Sequence, residues 1–276
     1  MTQTDHAPVL QLQEISKRFG AVQALSRVDL DVAAGEVLGL VGDNGAGKST
    51  VIKIISGIYQ PDTGEIRFAG RPVAIHGPTD ATALGISTVY QDLALCDNLD
   101  VVANLYLGRE AVSLEGGPLT VLNEVSMEQR AIGVLRDLAV RIPSVRIPVA
   151  SLSGGQRQSV AVARAVMWNS RVVLLDEPTA ALGVAQTRQV LDLILRLKQQ
   201  GLGVLVISHN LADVFEVCDR IHVLYLGRSV GTYDVKGASR EQVVAAITGA
   251  EFAEEEADAA ALAGAIEPSA QPGDAS

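Results

Sequence analysis

The residues best suited to chemistry form one run, Gly42-Asp43-Asn44-Gly45-Ala46-Gly47-Lys48-Ser49-Thr50. Its glycines let backbone N–H groups turn inward around an anion without Cβ clashes. Lys48 supplies a point charge for outer phosphates, and the Ser49 hydroxyl supplies a ligand for magnesium. Two carboxylates, Asp176 and Glu177, close the apolar run Val172-Val173-Leu174-Leu175. One acid in such a place can hold magnesium, and its neighbour can orient or deprotonate an attacking water. His209 follows a second apolar run, Gly203–Ile207, by the step Ser208-His209.

The elements that must position these groups are legible in the same text. Val37–Val41 reads as a buried strand ahead of the glycines. Val51, Ile54, Ile55 and Ile58 after them share one face of a helix. Strand, glycine loop and helix together give the setting that a phosphate cradle requires, with a helix N-terminus aimed at the anion. Further strands are expected at Val9–Leu12, Leu25–Val32, Glu65–Phe68, Arg171–Leu175, Gly203–Ile207 and Arg220–Leu226. A second helical stripe is carried by Val190, Leu193, Ile194 and Leu197. Strand alternating with helix implies a parallel sheet covered by helices. From about residue 92 to 167 the pattern turns helical, broken by Gly116-Gly117-Pro118, Pro143 and Pro148. This interval reads as an inserted lobe.

Leu152-Ser153-Gly154-Gly155-Gln156 is a third constellation. Ser-x-x-Gln is a capping box at a helix start, and it recurs as Ser126-x-x-Gln129 and Ser239-x-x-Gln242. Only the copy at Ser153 puts two glycines in the first turn, each costing up to about 1 kcal/mol in a helix interior. That cost makes sense where something approaches the backbone closely. A second phosphate-contacting surface is therefore expected there.

Taken in order, these motifs resemble the nucleotide-binding subunit of ABC transporters over about residues 8 to 249. The resemblance implies a P-loop NTPase fold of the α/β class. It has a RecA-like parallel core, an N-terminal antiparallel β subdomain and an inserted helical subdomain at about 92–167. It implies ATP and magnesium as cofactors. Gly42, Asp43, Asn44, Gly45, Ala46, Gly47, Lys48, Ser49 and Thr50 hold the phosphates, and Ser49, Gln91 and Asp176 form the metal site. Glu177 is the general base, His209 contacts the γ-phosphate, and Gln91 touches magnesium or the water. Phe19 stands where the family places an aromatic against adenine. Ser153, Gly154, Gly155 and Gln156 meet the nucleotide held by a second copy of the chain.

Finer wording, including Val89-Tyr90-Gln91-Asp92-Leu93 and Asn104-Leu105-Tyr106-Leu107-Gly108-Arg109-Glu110, resembles the monosaccharide-import branch, in particular its single-half fructose-type members. The implied partners are transmembrane permease subunits and a periplasmic sugar-binding protein, and the implied place is the cytoplasmic face of the membrane. The family's usual Asp after Ala181-Leu182 is replaced here by Gly183. The rival reading is a soluble ABC-type ATPase switching in translation or DNA repair.

Composition narrows the rivals. The net charge is −10, and residues 250 to 276 contain seven acids without Lys or Arg, leaving −3 for the rest. That tail is expected to be disordered or loosely helical. No basic stripe for nucleic acid stands out, and no stretch reaches the roughly 18 apolar residues of a membrane span. The first residues show neither the basic nor the apolar region of a secretory signal. Cys96 and Cys218 have no pairing or metal-ligand spacing, which suits a reducing compartment.

Overall fold

A computed structural model describes residues 8–113 and 121–250; the acidic tail lies outside the described residues. The chain begins with β1 (Pro8–Phe19) and β2 (Val22–Ala33), both longer than their apolar cores. The extra length is polar and pairs across the hairpin from Lys17 to Val22. Next come β3 (Val37–Val41) and α1 (Lys48–Ile55). These lead to β4 (Thr63–Phe68), β5 (Arg71–Val73), α2 (Pro78–Leu84) and β6 (Ile86–Val89). The helical interval supplies α3 (Val101–Tyr106), α4 (Glu124–Asp137) and α5 (Gly154–Val166). The remainder is β7 (Val172–Asp176), α6 (Val184–Gln199), β8 (Gly203–Ile207), α7 (Leu211–Val217), β9 (Arg220–Tyr225), β10 (Arg228–Asp234) and α8 (Arg240–Thr248).

Two sheets result. The smaller is antiparallel in the order β2-β1-β4-β5, and the larger runs β10-β9-β3-β8-β7-β6. In the larger sheet every pairing is parallel except β10 with β9. Parallel strands end on the same edge. The loops after β3, β6, β7 and β8 therefore emerge together, and all of the sheet-borne chemistry identified above sits on them.

The two faces of the large sheet are sorted by the two-residue period of a strand. Val173 and Leu175 of β7, with Val204 and Val206 of β8, point into a core shared with α3, α4, α5 and α6. Val172 and Leu174, with Leu205 and Ile207, point into a second core shared with α1 and the antiparallel sheet. Burying each such side chain stabilises by about 2 kcal/mol, and a one-residue register slip would exchange the two sets. The helices of the 92–167 interval share their core with β7 and β8.

Three local expectations change. Ile58 is 46% exposed and lies beyond α1, because Gly57 turns left-handed at φ +77 and ends the helix. Its neighbour Gly77 leaves no room for a Cβ there, so the glycine stop is enforced from outside. Ser126 is not a cap: the Asn123 side chain accepts from the Ser126 N–H at 3.1 Å and starts α4 earlier. The strand expected to reach Leu226 stops at Tyr225, where Leu226 and Gly227, both at positive φ, turn the chain into β10.

Candidate nucleotide site

Gly42 leaves the end of β3 and Gly47 occupies the N-cap of α1 at φ +103. Glycine has no side chain to cap with, so its N-cap leaves the first-turn amides of α1 without a side-chain acceptor, the setting in which a helix N-terminus can take an anion. A Cβ on Gly42 would fall 2.3 Å from the Leu224 carbonyl oxygen, and one on Gly47 2.6 Å from Leu25. Both glycines are therefore demanded by packing against β9 and β2. Between them, Ala46 is buried and its N–H donates to the Asp43 carbonyl at 3.1 Å. Asp43, Asn44 and Gly45 form the exposed tip, and Asp43 Oδ1 accepts from the Asn44 N–H at 2.7 Å.

Lys48 folds back over this loop. Its Nζ donates to the carbonyls of Gly42 at 2.7 Å and Asp43 at 2.9 Å. Burial lowers its pKa, while the charges of Glu177, Asp43 and Asp176 hold it up. The ammonium thus stands within electrostatic reach of both acids at the end of β7. Ser49 is exposed and Thr50 half-buried on the first turn of α1.

Asp176 closes β7 half-buried. Its pKa is raised by burial and by Glu177, against the pull of Lys48 and Lys53. Glu177 adopts φ +51, a left-handed conformation that costs on the order of 1 kcal/mol or more for a residue with a Cβ. Its own N–H donates to the Ile207 carbonyl at 2.9 Å, tying the bend to β8. The carboxylate is mostly covered, and its Oε2 lies 2.8 Å from Nδ1 of the exposed His209. The two residues arrive from adjacent strands and meet because those strands are parallel and in register. Gln91 is exposed in the bend that follows β6, on the same sheet edge.

The remaining candidates lie further out. Ser153 caps α5 with the expected reciprocal bonds, Gln156 N–H to Ser153 Oγ at 3.3 Å and Ser153 N–H to Gln156 Oε1 at 3.0 Å. Gln156 Nε2 also donates to the Arg141 carbonyl at 3.1 Å. A Cβ on Gly154 would stand 2.9 Å from Leu182, and one on Gly155 3.0 Å from Gln186. Part of the close approach inferred from these glycines is thus intramolecular, made by the N-terminal end of α6. Phe19 ends β1 at 41% exposure, edge-to-face on Tyr59 at 5.0 Å, with Lys17 Nζ 5.6 Å from its ring. One ring edge is used in packing while much of the ring stays open. Tyr59 escaped sequence reasoning because it lies past the end of α1, with no spacing that links it to Phe19.

The phosphate loop, Lys48, Asp176, Glu177, Gln91 and His209 thus share one sheet edge, supplied by the ends of four strands, β3, β6, β7 and β8. A sequence profile described as "ABC transporter" matches residues 25–180, more than half of the chain. The chain belongs to the ABC transporter family. This ABC ATPase is 46% identical over 256 residues to a fructose import ATP-binding protein of Rhizobium meliloti, covering 92% of the chain and 98% of that protein. It is 48% identical over 222 residues to a xylose/arabinose import ATP-binding protein of Sulfolobus acidocaldarius, covering 80% and 86%. It aligns with only 48% of a ribose import ATP-binding protein of Rubrobacter xylanophilus, at 42% identity, so the chain spans about half of that relative. Among solved structures, the ADP conformation of an ATP-binding cassette superposes with a TM-score of 0.73 at 26% identity, covering 90% of this chain and 98% of that one. A dimeric post-hydrolysis cassette bound to ADP and Pi superposes with a TM-score of 0.67 at 26% identity, covering 83% and 100%. The chain therefore has the P-loop NTPase fold, and it binds and hydrolyses ATP.

Proposed function

We propose that this ATPase powers uptake of a monosaccharide, fructose first among the candidates, through a separate membrane permease. The observation that carries the sugar reading is the similarity, end to end, to a fructose import ATP-binding protein. No helix among the described residues is long and apolar enough to cross a membrane. The path for the sugar then belongs to other subunits, and this chain would act at the cytoplasmic face with a periplasmic binding protein in the same system. The interval 92–167 would act as the helical lobe facing the permease, and 8–249 as the whole cassette.

In this reading the amides from Gly42 to Gly47, with Lys48 and Thr50, hold the β- and γ-phosphates, and Phe19 lies against adenine. Ser49, Asp176 and Gln91 would hold magnesium. The donor set is a hydroxyl, a carboxylate and an amide, without a cluster of three or more His, Cys, Asp or Glu among the described residues. It fits a hard cation that keeps waters and phosphate oxygens as its other ligands. When bound, magnesium supplies charge neutralisation on the β- and γ-oxygens. Glu177 takes a proton from the water that attacks the γ-phosphorus, ADP leaves, and His209 donates to a γ-oxygen. Lys48 balances charge as it spreads over the departing phosphoryl group. A second copy supplies Ser153–Gln156 to the same nucleotide, in line with the dimeric neighbour.

Deleting this chain and measuring uptake of labelled fructose, ribose and xylose tests the proposal. Loss of fructose uptake, restored by the wild-type chain and not by Glu177→Gln, is expected. Unchanged uptake of all three would overturn it.

A further inference from the structure

α5 carries the Ser153–Gln156 segment at its start and Arg164 near its end. About 15 Å of rigid helix axis separate the two. The Arg164 guanidinium reaches across to the segment that follows Gln91. Its Nη2 donates to the Leu93 carbonyl and its Nη1 to the Ala94 carbonyl, both at 2.8 Å. Residues 91–95 run outside helix and strand, with Ala94 left-handed at φ +48. Asp92, Leu93 and Ala94 form one wall of a cavity of about 400 Å³, lined also by Tyr90, Arg109 and Trp168. Further along, buried Asn104 fixes the chain. Its Oδ1 accepts from the Cys96 N–H at 2.7 Å and its Nδ2 donates to the Cys96 carbonyl at 3.0 Å. The Gln91 segment is thus pinned downstream by α3 and held in the middle by α5, with open space beside it.

We propose that Arg164 is a positioning residue for Gln91, coupling the placement of its loop to that of the helix that begins at Ser153. A planar guanidinium spans two successive carbonyls at once, whereas a lysine ammonium is a single point of attachment. Both bonds are charge-assisted, and the one to Leu93 is half-buried, so they are stronger than neutral pairs. At its other end α5 packs through Gly154 and Gly155 on Leu182 and Gln186, in the segment that follows Glu177. A shift of α5 on engagement of Ser153–Gln156 would thereby be delivered to the Gln91 loop as well as to the chain beyond Glu177. Arg164 touches no substrate. Its effect runs through Gln91, and the inference rests on the role proposed above for that residue.

The test is steady-state ATPase activity of the full chain carrying Arg164→Lys, Gln91→Ala and both, with ATP and magnesium titrated separately. A misplaced ligand loop is expected to lower kcat about tenfold in Arg164→Lys. The magnesium requirement should rise, with KM for ATP and the melting temperature little changed. In the double variant the kcat loss should equal that of Gln91→Ala alone, because the brace has nothing left to position. A brace that only stabilises the fold would lower the melting temperature and leave kcat per folded molecule intact, which overturns the inference. Additive losses in the double variant overturn it too. A Gln91→Ala variant with wild-type kcat and magnesium dependence removes the role of Gln91 and the inference together, whereas an impaired Gln91→Ala beside an unimpaired Arg164→Lys removes the inference alone. If Arg164→Lys does not fold, Arg164→Gln, which keeps a donor on a shorter neutral stem, is read by the same criteria.

Discussion

Glu177 is held by its surroundings more tightly than a solvated strand-end acid would be. Its backbone is left-handed, its N–H is bonded to Ile207, and its carboxylate is covered and paired with His209. Strain of this kind persists only where neighbours over-determine it, and a base must be aimed before its pKa matters. Replacement by glutamine preserves shape and removes the proton acceptor. Glu177→Gln is expected to bind ATP normally while turnover falls by about a hundredfold or more, measured by nucleotide binding and phosphate release on the same sample. Asp176 gives a second residue-scale prediction. In the nucleotide-free protein its pKa lies above the ordinary 3.8, with burial as the main cause and Glu177 next. Folded protein therefore binds this proton more tightly than unfolded chain. The associated stability is full below 3.8 and is lost as pH rises through the raised folded value. Asp176→Asn should melt slightly higher than wild type at neutral pH without nucleotide, and the gain should vanish in acid. The same variant should lose the stabilisation given by ATP with magnesium. At this scale the sequence placed Lys48 behind the glycine loop and Asp176 and Glu177 at a strand end, and the structure brings their charges within reach of one another. The contact between Glu177 and His209, the stacking of Tyr59 on Phe19 and the reach of Arg164 depend on parallel register and loop paths that no spacing encodes.

At the scale of elements, short continuous apolar runs announced β3, β7 and β8 almost to the residue, because strands buried on both faces admit little else. The stripe Val190, Leu193, Ile194 and Leu197 is buried on α6 as its period demands. What failed were ends and edges. β10 is a half-exposed edge strand, Arg-Ser-Val-Gly-Thr-Tyr-Asp, with no hydrophobic run to signal it. Ser126 does not start α4, because Asn123, three residues earlier, already accepts from its N–H and caps the helix. The phosphate loop shows the opposite, a local requirement reinforced by tertiary packing. Gly42→Ala places a methyl against a β9 carbonyl that has no route to retreat. It should destabilise the fold by about 1–3 kcal/mol and abolish ATP binding, as read from denaturant titrations with and without nucleotide. Retained stability with lost binding would show that the glycine serves the phosphate alone.

For the whole molecule, none of the bonds or close contacts described for Ser153–Gln156 joins it to the phosphate loop of the same chain. Those residues contact α6 and Arg141 instead. Activity that depends on a second copy should rise more steeply than linearly with protein concentration and become linear once dimers saturate. Strict linearity from the most dilute sample upward would make the monomer the working unit.

One feature of the loop reaches beyond chemistry. The Gly227 N–H donates to the Ala46 carbonyl at 3.1 Å, and the Gly227 carbonyl accepts from the Ser26 N–H at 2.7 Å. The antiparallel sheet, the β9–β10 turn and the phosphate loop are stitched at a single knot. Whatever tightens the loop must also tighten the seam between the two sheets, and by reciprocity a looser seam weakens the hold on nucleotide. Amide hydrogen exchange at Ser26 and Gly227 should slow when ATP binds, making the seam between the two sheets a gauge of occupancy.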